Sequence, residues 1–162
     1  MGRVQVVAPF TLPRSPRRVP AYRRVLVPLS GQESERAATI ACELAAEHGA
    51  SVSAIRVIEM PAELPLDAHM PDDEDEARRV SAETQAVGDL YGVTVSVRVV
   101  RARAAGAAIV EEARATNAEI IVLRAPRKLR ASRRAAIFGK TVSYVLTHAP
   151  CRVMVVTEPA GS

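Results

Sequence analysis

The strongest constraint in this chain is an alternation. Short runs of branched apolar residues recur, and between most of them lie longer segments whose apolar residues return every three or four positions. The runs are "VLVPL" (25–29), "SVSAIRVIEM" (51–60), "GVTVSVRVV" (92–100), "AEIIVL" (118–123) and "CRVMVVTE" (151–158). Each is bounded by turn residues and has the length of a strand. The run at 118–123 is apolar throughout and reads as a central strand. The run at 92–100 alternates and reads as an edge.

The segments between them read as helices. "QESERAATIACELAAEHGAS" places apolar residues at 37, 40, 41, 44 and 45, one face of a helix. Ser30 and Glu33 fit a capping box at its start, and Gly49 fits its stop. After the Pro-rich acidic loop "PAELPLDAHMPDDEDE", a helix is expected from about Asp73 to Tyr91, with acids suitably placed at its N-terminus. "AAGAAIVEEARATN" gives a third helix and "GKTVSYVLTHAP" a fourth, stopped by Pro150. Strands alternating with helices imply an α/β fold, a single doubly wound and mostly parallel sheet. In such sheets ligands bind beyond the carboxyl ends of the strands, where the strand order reverses. That rim holds Pro28, Leu29 and Ser30 after the first strand and Arg124 onward after the fourth.

Composition fits this reading. The chain is 48% hydrophobic but only 3% aromatic, with no Trp, so its core is built of Val, Ile, Leu and Ala. Such a core suits helices packed on a buried parallel sheet. It offers no aromatic platform for single-stranded nucleic acid. Residues 1–21 hold four of the eleven prolines and read as a leader or linker before a domain at 22–158. The charge is uneven. Residues 1–24 carry +6 and residues 124–140 carry +7, which leaves −9 for the rest of a chain whose total is +4. Basic patches on an acidic body attract phosphate or anionic membrane. Nucleic acid is disfavoured as a partner by the acidic remainder. Cys42 and Cys151 read as small buried hydrophobes in a reducing compartment, and no Cys/His cluster suggests a metal. There is no signal-peptide core and no 18-residue apolar run, so a cytoplasmic location is expected.

Four stretches resemble the universal stress protein family: "RRVLVPLSG", "ELAAEHGASVSAIRVIE", "AEIIVL" and "FGKTVSYVLTHAPCRVMVV". The resemblance covers roughly 22–158. The leader, the "PAELPLDAHMP" loop and the "FGKT" variant further resemble the stress-protein domains appended to amino-acid permeases. The resemblance implies a flavodoxin-like, adenine-nucleotide α-hydrolase-like sheet of order 3-2-1-4-5. It implies a homodimer paired through the last strand, here Arg152, Val153, Met154, Val155 and Val156. It also divides function. One branch of the family binds ATP or another adenine nucleotide through an Asp after the first strand and a Gly-x2-Gly-x9-Gly-[Ser/Thr] loop after the fourth; the other branch binds none.

This chain departs from that loop. Ser30 stands at the Asp position, where helix capping competes with a ribose contact. Arg124 and Arg127 stand at the first two glycines, and eleven residues separate Arg127 from Gly139. Lys140 takes the Ser/Thr place, with Thr141 beside it. Arginine does not give the close backbone approach that glycine allows, but its fork binds phosphate bidentately. An anion at Gly139, Lys140 and Thr141, backed by Arg124 and Arg127, is therefore the expectation, with Pro28, Ser30, Val57 and Leu123 forming the ribose and adenine rim. "GKT" is not a P-loop, because the required upstream glycine is Arg134.

Catalysis has little support. His48, His69 and His148 fall at helix ends or in a loop, no nucleophile motif is present, and slow ATP hydrolysis lacks an evident base. The acidic run 72–76 lacks EF-hand spacing. The leading expectation is a regulatory stress-response domain binding an adenine nucleotide. The alternative is an interaction module docking a membrane transporter or the cytoplasmic face of an anionic membrane.

Overall fold

The computed structural model describes residues 22–125 and 139–157. The leader, Arg127 and most of the basic loop lie outside the described residues. Five strands form one parallel sheet: β1 (Arg24–Leu29), β2 (Ser51–Glu59), β3 (Val95–Ala102), β4 (Ile120–Arg124) and β5 (Arg152–Val156). Their order is β3-β2-β1-β4-β5, the doubly wound arrangement expected. The helices are α1 (Glu35–His48), α2 (Pro71–Tyr91), α3 (Ala105–Ala115) and α4 (Gly139–His148).

The alternation of side chains along β1 sends residues to both faces. Val25, Val27 and Leu29 pack with Ala37, Ala41, Cys42 and Ala45 of α1 and Val80 of α2. Leu26 turns the other way, onto Ile109 and Val110 of α3 and Val142 and Val145 of α4. Because helices cover both faces, β1 and β4 are apolar at almost every position. Cys42 is buried within this core, and burial pushes its thiol pKa up, as it does for the half-buried Cys151. Neither is poised as a nucleophile.

Several boundaries differ from the sequence reading, each for a local reason. Ser30 does not cap α1 as its capping-box spacing suggested. Gly31, at φ 61°, turns the chain into a 3-10 segment, Gly31–Ser34, and α1 starts only at Glu35. Ser30 makes no side-chain cap bond, while the Ser34 hydroxyl donates to the Gly31 carbonyl at 2.9 Å. α2 starts at Pro71 rather than Asp73, since proline's fixed φ suits the first helical position. β3 starts at Val95 rather than at 92, because Gly92, at φ 65°, closes α2. β4 begins two residues later than expected, and Gly49 caps α1 in the left-handed region as expected.

One carboxylate ties the base of the sheet together. Glu119 accepts hydrogen bonds from the backbone N–H of Arg23 at 2.5 Å and of Arg24 at 3.0 Å, which hold its carboxyl below the ordinary glutamate pKa. Two backbone donors favour the charged form, so this anchor is present above the ordinary glutamate pKa and is lost as pH falls through the depressed one.

Candidate functional site

The strand order reverses between β1 and β4, and a cleft of ≈ 590 Å³ opens there at the carboxyl ends of the strands. Its shape begins with Pro28. The β1–β2 ladder runs to the pair Leu29–Arg56, but the β1–β4 ladder pairs only Val25–Ile120 and Leu26–Ile121. A proline has no N–H for a ladder and belongs where pairing ends. Beyond Leu26 the two strands part, and the cleft occupies the gap.

The walls are largely apolar: Leu29, Ile55, Val57, Ile109, Leu123 and Val142. The structure brings Pro28, Ser30, Val57, Leu123, Arg124, Gly139, Lys140 and Thr141 to this one cleft. Of the residues singled out for nucleotide binding, only Arg127 lies outside the described residues. The hydroxyl of Ser30, free of the capping role, is exposed at the rim.

The end of the cleft suited to an anion is the start of α4. The first N–H groups of an α-helix have no partner within the helix and carry the positive end of its dipole. Gly139 opens α4 at φ 74°, a conformation that side chains rarely adopt. Lys140 is exposed beside it. The neighbouring α3 presents a different N-terminus. Its N-cap, Ala104, has no capping side chain, and Glu59 at the end of β2 accepts the Ala105 N–H at 2.8 Å instead. A protein carboxylate thus already occupies the start of α3, while α4 begins at glycine and lysine.

Sequence reasoning missed three polar residues of the cleft: Arg56, Glu59 and Asp73. Arg56 donates to the Leu29 carbonyl at 3.2 Å and to Glu76 Oε2 at 2.7 Å, which ties β2 to α2 under the cleft. Its side chain is only 12% exposed, and its Nε has no hydrogen-bond partner among the described residues. Arg56 and Glu59 stand at the carboxyl end of β2, the place where ligand contacts are expected in such sheets, and that position alone was the available signal.

The histidines stay away from the cleft. His48 meets Tyr22 edge-on at 5.8 Å between ring centroids. His148 stacks on Tyr144 at 4.0 Å, and its Nδ1 donates to the Tyr144 carbonyl at 2.9 Å. His69 lies 3.6 Å from Glu74. The acidic run 72–76 is largely spent on arginines: Glu74 on Arg101 at 2.5 Å, Asp75 on Arg78 and Glu76 on Arg56. The Arg101 hydrogen bond, with that of the Met70 N–H, lowers the Glu74 pKa. Among the described residues no group of acids, cysteines and histidines is arranged to hold a metal ion, and no helix is long and apolar enough to cross a membrane.

The chain matches the universal stress protein family over residues 21–157. It is similar in structure to a universal stress protein from Archaeoglobus fulgidus, at 18% identity and a TM-score of 0.69, covering 83% of this chain and 98% of that one. A structure of the universal stress protein from Archaeoglobus fulgidus in complex with dAMP gives 18% identity and a TM-score of 0.65 over 83% of this chain and 98% of that one. A universal stress protein in complex with cAMP gives 22% identity and a TM-score of 0.67 over 84% of this chain and 97% of that one. The protein UspA from Lactobacillus plantarum gives 27% identity and a TM-score of 0.59 over 83% and 97%. No curated protein matches. The fold, the strand order and the extent of the family match agree, and this chain belongs to the universal stress protein family.

Proposed function

We propose that this stress-protein domain binds an adenine nucleotide in the cleft between β1 and β4 and acts as a regulatory ligand-binding module rather than an enzyme. The observation that carries the reading is the start of α4. Gly139, Lys140 and Thr141 open onto the same cleft as the apolar walls from Leu29, Val57 and Leu123. The volume lies within the range of small-molecule sites, and a few polar groups converge on an otherwise apolar cavity. The phosphate sits at the α4 N-terminus and the base lies between the apolar walls. Relatives solved with cAMP and dAMP support the ligand class.

Native mass spectrometry of the purified protein, followed by calorimetric titration with AMP, ADP and ATP at physiological salt, tests this. Micromolar affinity is expected. Lys140→Ala removes one charged phosphate donor from an exposed helix position and is expected to weaken binding about tenfold. Gly139→Asp places a carboxylate at a backbone position that needs glycine and is expected to abolish binding. Absence of binding at millimolar nucleotide overturns the reading. The site would then be empty of nucleotide, and docking of an amino-acid transporter or an anionic membrane through the Arg-rich segments would take its place.

The exposed edge of β5 supports a homodimer. Arg152 and Met154 are exposed along it, with Leu146 of α4 45% exposed nearby in the chain. An edge strand left unpaired is a ready template for a second copy. Light scattering at micromolar concentration is expected to give a dimer mass. A monomer mass would remove the β5 interface.

A further inference from the structure

Within the acidic run, Asp73 is set apart by position and by partners. The buried face of α2 is the stripe Ala77, Val80, Thr84 and Gly88. Asp73 lies one turn before Ala77 on that stripe, where the core-facing side of the helix emerges into the cleft. It is half-buried and lines the cleft together with Ser30 and Arg56. Glu74, Asp75 and Glu76 are each paired with an arginine, whereas Asp73 makes no hydrogen bond or ion pair among the described residues. Asp72, its neighbour, is exposed and outside the cleft.

An ionised carboxylate only accepts hydrogen bonds. A half-buried one that faces a cleft and has no protein donor among the described residues is placed to accept hydrogen bonds from a ligand that brings donors. The start of α4 and Lys140, also lining this cleft, need a ligand that brings an anion. One small molecule satisfies both demands if a pair of hydroxyls lies a few bonds from a phosphate. We propose that Asp73 is the specificity-determining residue for the sugar, accepting hydrogen bonds from the ribose hydroxyls of a nucleoside monophosphate whose phosphate lies at Gly139 and Lys140. This rests on the nucleotide reading of the cleft. It adds a preference for ribose over sugars lacking both hydroxyls, supplied by α2 rather than by the strand ends.

The test compares AMP with 2′,3′-dideoxy-AMP by calorimetry on the full chain. The wild type is expected to prefer AMP by about tenfold or more, the worth of hydrogen bonds to a charged group. In Asp73→Ala that ratio is expected to fall to about one, with dideoxy-AMP bound about as well as by the wild type. Asp72→Ala makes the same change of charge on the same helical turn and is expected to leave the ratio intact. Circular dichroism melts of both variants check that α2 still forms. Loss of folding in Asp73→Ala moves the comparison to Asp73→Asn, which keeps the size and removes the charge, and in which the ratio is expected to shrink. A wild type that binds AMP with a ratio unchanged in the Asp73 variant overturns the role of Asp73 and leaves the nucleotide site standing. A wild type that binds neither compound overturns both.

Discussion

Leu26→Ala is expected to cost about 3–4 kcal/mol of folding stability, the upper part of the range for a buried leucine. Leu26 is fully buried in the middle strand of the sheet. It is the β1 residue in the core cluster on the α3–α4 face, which also holds Ile55, Ile109, Val145 and its strand partner Ile121. Neighbours on two strands and two helices cannot collapse into the space without shifting the sheet, so a cavity remains and the cost exceeds simple transfer from water. Against a total stability of about 5–15 kcal/mol, a loss of this size is a large fraction. Urea unfolding followed by circular dichroism should show a lower midpoint with an unchanged slope. Leu64→Ala removes the same atoms from a side chain 40% exposed on the loop before α2 and should change the midpoint little. Similar values for the two variants would contradict the packing described for the α3–α4 face.

Gly88→Ala sets two effects of opposite sign against each other. In the interior of a helix, alanine is favoured over glycine by about 1 kcal/mol. Gly88 is buried, however, and an added Cβ would lie 2.4 Å from Val95 Cγ2 and 2.9 Å from the Val93 carbonyl oxygen. Val93 is backbone at the turn into β3 and cannot move alone. Overpacking of this kind costs about 1–3 kcal/mol, and here it outweighs propensity. With contacts this short the cost falls in the upper part of that range, and the expected result is a net loss of up to about 2 kcal/mol and a lower Tm. Adding Val95→Ala removes the closer contact and should recover part of the loss relative to the two single changes. A Tm above wild type in Gly88→Ala would mean that α2 and β3 do not approach this closely.

The fold was more legible in the chain than the site was. Val25–Leu29 and the run ending at Leu123 declare themselves because both faces of a central strand must be apolar, and the helix periodicities on either side leave few topologies. Boundaries were lost where glycine conformation decided them. "GVT" reads as the start of a strand, yet Gly92 adopts a left-handed conformation and its N–H returns to the Asp89 and Gly88 carbonyls. Ser30 and Glu33 have capping-box spacing, but Gly31 diverts the backbone first. Spacing does not report φ. In the cleft, residues next to strand ends or at the start of α4 could be named because topology places them there. Arg56, Glu59 and Asp73 could not be assembled that way. They come from β2 and the first turn of α2, and their roles depend on which charges their neighbours have already neutralised. In "DDEDE" nothing local separates the carboxylates bound by arginines from the one that faces the cleft.

Pro28 has a consequence for how a ligand enters. Without an N–H at this position, β1 cannot extend its ladder to β4 toward the rim, so strand pairing cannot zip the gap shut. The proline thus removes one donor that could help close an opening already set by the reversal of strand order. Under the nucleotide reading proposed above, a ligand would meet an opening that is there before it binds, and none of its binding energy would go into parting the strands.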